Sequence, residues 1–178
     1  MIPMPTLSKV ANRGRPPQAF IDELVAWGRK APDSLFERSE GYDVYEHVKS
    51  ALGPYNSLLQ RKAVMLEVMR VLAGFESSWN WNEGRDVTNS TSITPDTIEA
   101  GAWQVSANSR VFGQDLKDLA PADGNAFQHL MKGNHQVAME YIARLLRHTV
   151  NHNGPVKRGE ILPWLRKDAV REFMLLLS

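Results

Sequence analysis

Over most of this chain, apolar positions recur at helical rather than strand spacing. In "RKAVMLEVMRVLAGF", residues 61–75, Val64, Met65, Val68, Met69, Val71, Leu72 and Phe75 cover more than half of a helical circumference. A helix that is apolar on most sides belongs in the middle of a core, and Gly74 weakens its far end. Narrower stripes flank it. "PPQAFIDELVAWGRKAP" opens on prolines, gathers Phe20, Leu24, Val25 and Trp27, and is followed by Pro32, which predicts a first helix. A short helix is predicted over 44–52, stopped by Gly53-Pro54. "NHQVAMEYIARLLRHTV" sets Val137, Ala138, Tyr141, Ile142, Leu145, Leu146 and Thr149 at helical spacing. "ILPWLRKDAVREFMLLL" predicts a last amphipathic helix with Pro163 in its first turn.

Three stretches break the period. The proline-rich residues 1–16 read as an extended, poorly ordered arm, leaving 17–178 as one domain. Residues 82–98, "NEGRDVTNSTSITPDTI", are polar and read as a loop or small hairpin. From "EAGAWQVSANSR" to about Lys132 the pattern is irregular. The fold class is therefore mainly α, an α+β arrangement whose small β element sits in the polar loop.

The bulk numbers narrow the function classes. A length of 178 residues fits one domain with a real core. Hydrophobic content of 43% and charged content of 23% are those of an ordinary soluble globular protein. A net charge of +1 makes no electrostatic case for nucleic acid. The absence of cysteine removes disulfides and thiolate zinc sites. The N-terminus lacks the apolar h-region of a signal peptide, and no stretch has the roughly 18 apolar residues that span a bilayer. The expectation is a soluble monomer made in the cytoplasm, without membrane insertion. No phosphate-cradling, nucleophile-elbow or dinucleotide motif stands out, so no cofactor is expected. His148 and His152 have a metal-compatible spacing, but Thr149 stands where a zinc protease needs glutamate; they read as solvated, with no metal site. "NST" at Asn89 is a glycosylation sequon, meaningful only in a eukaryotic secretory protein.

The candidate chemistry lies in "GFESSWNWNEGRD", residues 74–86. Glu76 follows the buried helix, with Phe75 before it and Trp79 close behind. A carboxyl drawn out of water resists ionisation, and one that keeps its proton near neutral pH can donate it to a leaving oxygen. The alternative is a glutamate that caps the loop or pairs with Arg85. Trp79, Trp81 and Trp103 crowd the same window. Indole faces suit sugar rings and indole N–H groups suit hydroxyls; equally, indoles fill cores. Alternation of Trp79 and Trp81 with Ser78, Asn80 and Asn82 favours at least one facing solvent.

"ESSWNW", a polar loop and then "GAWQVS" resemble the signature of the lysozyme-like superfamily, in particular bacterial lytic transglycosylases and goose-type lysozymes. There a glutamate-serine pair ends a buried helix, a loop or hairpin follows, and a Gly-x-x-Gln-Val segment comes next. Glu76-Ser77 matches the first part and Gly101 to Val105 the second. "NHNGPV", residues 151–156, is similar to the Asn-x-Gly-Pro turn of transglycosylases. The resemblance covers about residues 60–156. It implies a lysozyme-like fold with a small hairpin or loop beside a cleft, and cleavage of the β-1,4 glycan strands of peptidoglycan as a muramidase or lytic transglycosylase. Glu76 would be the general acid and Ser77 its support. Gln104 would line the sugar groove with Trp79 and Trp103, and Tyr141 would reach it from the next helix. Two departures matter: Ala102-Trp103 replaces a common Leu-Met pair, and Ser106 stands where goose-type enzymes carry aspartate.

Inverting hydrolysis needs a second carboxylate roughly 6.5–9.5 Å from the acid. Glu83, Asp86, Asp96 and Glu99 are the candidates. Glu99 is favoured, then Asp96, because both precede Gly101 on a loop able to fold back beneath Glu76. A transglycosylase needs no such base, since the sugar's own 6-hydroxyl closes the ring. A cell-wall enzyme without an export signal implies delivery to the periplasm by a secretion system, as an antibacterial effector toxin, or by phage lysis, as an endolysin. The toxin version implies an inhibitor (immunity) protein that plugs the cleft. The competing readings are a catalytically inactive glycan- or protein-binding module and a chitinase- or chitosanase-type activity.

Overall fold

The computed structural model describes residues 4–84 and 94–178. Arg85, Asp86 and Asn89, and with them much of the hairpin expected over 82–98, lie outside the described residues.

The architecture is mainly α. Helices α1 (Gln18–Lys30), α2 (Val44–His47), α3 (Lys49–Leu52) and α4 (Leu58–Ser77) form the first half. Helices α5 (Gln114–Leu119), α6 (Gly124–Gly133), α7 (His135–His148), α8 (Gly154–Lys157) and α9 (Lys167–Leu177) form the second. The longest, α4, begins where the Ser57 hydroxyl accepts the Gln60 N–H at 3.0 Å and the Gln60 carboxamide reaches back to the Asn56 N–H at 2.8 Å, satisfying donors that a helix start leaves open. Its residues from Ala63 to Gly74 are all buried, as its apolar circumference predicts, and α1, α7, α8 and α9 pack around it.

Two charged residues of α4 share that burial. Glu67 and Arg70 are both fully inaccessible. The Arg70 Nε and Nη2 groups donate to the two Glu67 oxygens at 2.7 Å each, and Nη1 donates to the Ser8 carbonyl at 2.9 Å. The Arg166 backbone N–H completes the cluster on Glu67 Oε2 at 2.8 Å. Burial pushes the Glu67 carboxyl up, against the hydrogen bonds and charge of Arg70 and the Arg166 N–H. A buried charge needs partners of this kind, and these partners tie both ends of the chain to the central helix.

The N-terminal segment therefore differs from the loose arm expected over 1–16. Thr6 and Val10 are fully buried, and the Thr6 hydroxyl donates to the Glu172 carboxylate on α9. The Val10 N–H donates to the Gly14 carbonyl and the Arg13 N–H to the Val10 carbonyl, each at 2.9 Å. Ala11 and Gly14 stand at φ of 47° and 84° in this tight turn. The segment even holds a short 3-10 turn, Pro5–Leu7, opened by a proline, and its prolines do not exclude packing.

Three further expectations are corrected. The irregular stretch before Lys132 holds a 3-10 turn (Ala107–Phe112), α5 and α6; the first two are too short to show a stripe, and α6 buries few large side chains. The helix over 44–52 is divided at Val48, which serves as cap to both halves. Pro163 belongs to a separate 3-10 turn (Leu162–Trp164), and the last helix starts only at Lys167. Among the described residues the β structure is one antiparallel bridge, Ala100 to Val105. No helix among them is long and apolar enough to cross a membrane.

Candidate functional site

The site is built where α4 ends. Ser78 and Trp79 follow Ser77 with φ of 53° and 61°, left-handed values that side-chain-bearing residues adopt at a cost. The chain doubles back, the Ser78 N–H bonding the Gly74 carbonyl at 3.0 Å and the Trp79 N–H the Ala73 carbonyl at 3.2 Å. The Trp79 indole then lies over the helix it has just left. Its N–H donates to the Arg70 carbonyl at 2.9 Å, and a Cβ on residue 74 would stand 2.7 Å from Trp79 Cζ2. Gly74 is what this close approach requires.

Ser77 joins the two sequence motifs. Its hydroxyl donates to the Ala102 carbonyl at 2.7 Å and accepts the Asn80 N–H at 3.0 Å. The Gly101–Gln104 turn sits against the helix end, with Gly101 at φ 83° and Gln104 at φ 46°, and the Gln104 carboxamide donates to the Gly101 carbonyl at 2.8 Å. Trp103 reaches into the core, where its indole N–H donates to the Met69 carbonyl at 2.8 Å. The Trp103 carbonyl in turn accepts from Asn153 Nδ2 at 3.0 Å. Asn153 is 4% exposed, and its Oδ1 has no hydrogen-bond partner among the described residues. The helix end, the 101–104 turn and the 151–154 segment thus meet around Glu76.

There they border a cleft of about 520 Å³, within the size range of small-ligand sites. Glu76, Ser77 and Gln104 line it, together with Glu83 and Glu99 from the two loops. Those loops are joined by the Gly101 N–H bonding the Glu83 carbonyl at 2.9 Å. Arg13, Pro155, Arg158 and Glu160 contribute from the N-terminal arm and from α8 and the turn after it. The Glu76 carboxyl is pushed up from its ordinary 4.5 to about 8, first by burial and then by the negative charge of Glu99; Arg158, Arg13 and a hydrogen bond from Asn153 pull the other way. Such a group stays protonated at neutral pH and is placed to give that proton to whatever enters the cleft.

The other expected site residues separate clearly. Glu99 is in the cleft. Asp96 is not among its lining residues; exposed, it accepts the Thr94 hydroxyl at 2.7 Å. Trp79 and Trp103 are 5% and 2% exposed, with both N–H groups taken by α4 carbonyls, so the expectation that they wall a sugar groove is corrected. Tyr141 is fully buried, sharing a 2.6 Å hydrogen bond with the Ser109 hydroxyl and standing edge-on to Phe127; it too belongs to the core. Trp81 is half-buried, stacked on His135 with ring centroids 3.8 Å apart and on Phe20 at 4.9 Å.

Sequence reasoning missed Arg13, Arg158, Glu160 and Asn153. Asn153 lay inside the quoted "NHNGPV" turn, a usable signal; Arg13 had none. His148 and His152 do not share a helix face, because α7 ends at His148. His148 Nε2 bonds Asp115 Oδ1 at 2.6 Å. His152 is mostly buried, and burial draws its imidazole down to about 4.

Compared with known proteins, the chain matches no family model, no curated protein and no solved structure.

Proposed function

We propose that the chain is a glycosidase that cleaves the β-1,4 glycan strands of bacterial cell wall, with Glu76 as the proton donor. The observation that carries this reading is a carboxyl holding its proton to about pH 8 in a polar cleft that it shares with Glu99. A carboxyl whose surroundings keep it protonated, with a second carboxyl in the same cleft, is what acid-base cleavage of an acetal needs. The order of the motifs supports the same reading, and so does the Ser77–Ala102 bond that fastens the Glu76-Ser77 pair to the segment containing Gln104.

In the proposed reaction Glu76 protonates the glycosidic oxygen as its bond to the anomeric carbon breaks. In hydrolysis Glu99 takes a proton from the water that attacks that carbon. In a transglycosylase the substrate's 6-hydroxyl attacks instead and leaves a 1,6-anhydro end. Ser77 and Asn153 are positioning residues: Ser77 fastens the turn beside the acid, and Asn153 hydrogen-bonds the acid itself. With Trp79 and Trp103 in the core, sugar recognition falls to the polar groups of the cleft.

The test is mass spectrometry of peptidoglycan incubated with the protein and with Glu76→Gln. Reducing or anhydro ends are expected, lost at least about 100-fold in the variant, in line with removal of a general acid. Undiminished cleavage by Glu76→Gln overturns the assignment. No cleavage by the native chain returns the choice to a binding module.

A further inference from the structure

The turn after α4 sends one tryptophan into the core and the next toward the surface. Beyond Trp79, residues 80–83 close on themselves. The Glu83 N–H donates to the Asn80 carbonyl at 3.3 Å, Asn80 Nδ2 donates to Glu83 Oε2 at 3.2 Å, and the Asn82 N–H donates to Asn80 Oδ1 at 3.0 Å. Trp81 and Glu83 therefore move as one unit. Trp81 leans on three rings. It stacks on Phe20 at 4.9 Å, meets the core indole of Trp103 edge-on at 5.5 Å, and lies within 6° of parallel to the His135 imidazole, 3.8 Å away. His135 opens α7, and its Nδ1 shares a 2.8 Å hydrogen bond with Glu23 Oε1 on α1. With side chains 32% and 43% exposed, the His135–Glu23 pair adds little to stability. What it fixes is the plane of the imidazole, and so the seat of Trp81.

We propose that Glu23 and His135 are positioning residues for the Glu76 cleft: by seating Trp81 they set the 80–83 turn and, through it, the loop that carries Glu99. As an account of catalysis this rests on the glycan-cleaving reading above. The path is short. Glu83 borders the cleft, and its carbonyl accepts the Gly101 N–H at 2.9 Å, two residues beyond Glu99. Glu99 is the charge that, after burial, raises the Glu76 proton affinity. A shift of the turn therefore alters the spacing of the carboxyl groups, and a displacement of about 1 Å is enough to slow a positioned reaction. Neither Glu23 nor His135 lines the cleft, so both act through the turn and not on the reacting atoms.

The experiment reads Glu76 itself. In the full chain with isotopically labelled glutamate carboxyls, carbon NMR follows the Glu76 signal through its titration, assigned by its loss in Glu76→Gln. His135→Ala is expected to move the midpoint below that of the parent, because the loop carrying Glu99 loosens and water reaches the acid. A residue that only packed would leave that midpoint alone. His135→Phe, which keeps a flat ring against Trp81, should restore most of the shift. Glu23→Ala, which leaves the stack in place, should give a smaller shift in the same direction. Peptidoglycan turnover should follow the same order, with kcat falling about tenfold or more in His135→Ala and KM little changed. Circular dichroism checks the fold; should His135→Ala not fold, Glu23→Ala makes the comparison. An unmoved Glu76 midpoint in the folded variant overturns the brace and leaves the glycan reading standing. A moved midpoint in a chain that cleaves no peptidoglycan upholds the brace and overturns the glycan reading.

Discussion

Replacing Glu76 by glutamine should change how stability depends on pH, whatever the substrate. In the folded chain the Glu76 proton is held from the ordinary 4.5 up to about 8. Between those values the unfolded chain has released the proton and the folded chain has not, so the folded state binds more protons and stability falls as pH rises. Each pH unit is worth about 1.4 kcal/mol, which over this window gives about 4–5 kcal/mol of destabilisation above pH 8. The cleft is open to solvent and the carboxyl is not fully buried; screening reduces the figure to about 2–4 kcal/mol. Glu99, Glu83 and Glu160 face the site as negative charges and Arg13 and Arg158 as positive ones, and the Glu76→Gln substitution alters none of them. Urea unfolding of both proteins at about pH 5 and about pH 9 reads the effect directly. Near the lower pH the two should be nearly equal; near the higher pH Glu76→Gln should be the more stable by that margin. A gap independent of pH would refute the claim that Glu76 is held protonated, and with it the physical basis for the acid role proposed for it.

Arg70→Met should cost about 3–5 kcal/mol in the same assay, because it leaves Glu67 buried without its partner; the double variant Glu67→Leu/Arg70→Met should recover most of that, and a single-variant loss below about 1 kcal/mol would contradict the burial. His152 opposes Glu76 in sign. Its imidazole is drawn from 6.5 down to about 4, so the unfolded chain binds a proton first as pH falls, and stability drops across that window by about 3.5 kcal/mol before screening, which for a partly exposed ring leaves about 2–3 kcal/mol. His152→Gln should remove this acid-side slope, and an unchanged slope in unfolding free energy would count against the buried neutral imidazole.

The parts of the molecule that could be read from its sequence are those governed by local period. Val64 to Phe75 announce a buried helix because seven apolar side chains on one short segment leave no face for water. Glu76 announces itself as the charge at the end of that helix, and the structure places Glu99, but not Asp96, in its cleft. The tryptophans misled for a definite reason. Alternation of Trp79 and Trp81 with polar neighbours describes an extended strand, whereas Ser78 and Trp79 stand in left-handed conformations that fold the indole back over Gly74. Period carries no information through such a reversal, although a glycine late in an apolar helix is the trace that the reversal leaves. Arg13 and Arg158 were illegible for another reason: nothing in a local window reports a neighbour of Glu76 that lies more than sixty positions away in the chain.

The same long-range ties set the order in which the molecule is finished as it is made. The Thr6–Glu172 bond spans 166 positions, and Glu67 obtains its backbone donor only from Arg166. A chain growing at about 5–20 residues per second can form α4 early. It cannot clamp the arm that carries Arg13, or supply Arg158 to the cleft, until nearly the last helix has emerged. Until then the acid stands at the end of its helix without the wall that completes its site. A nascent or truncated chain thus carries Glu76 without the complete cleft around it, because the contacts that close the site are the last to be made.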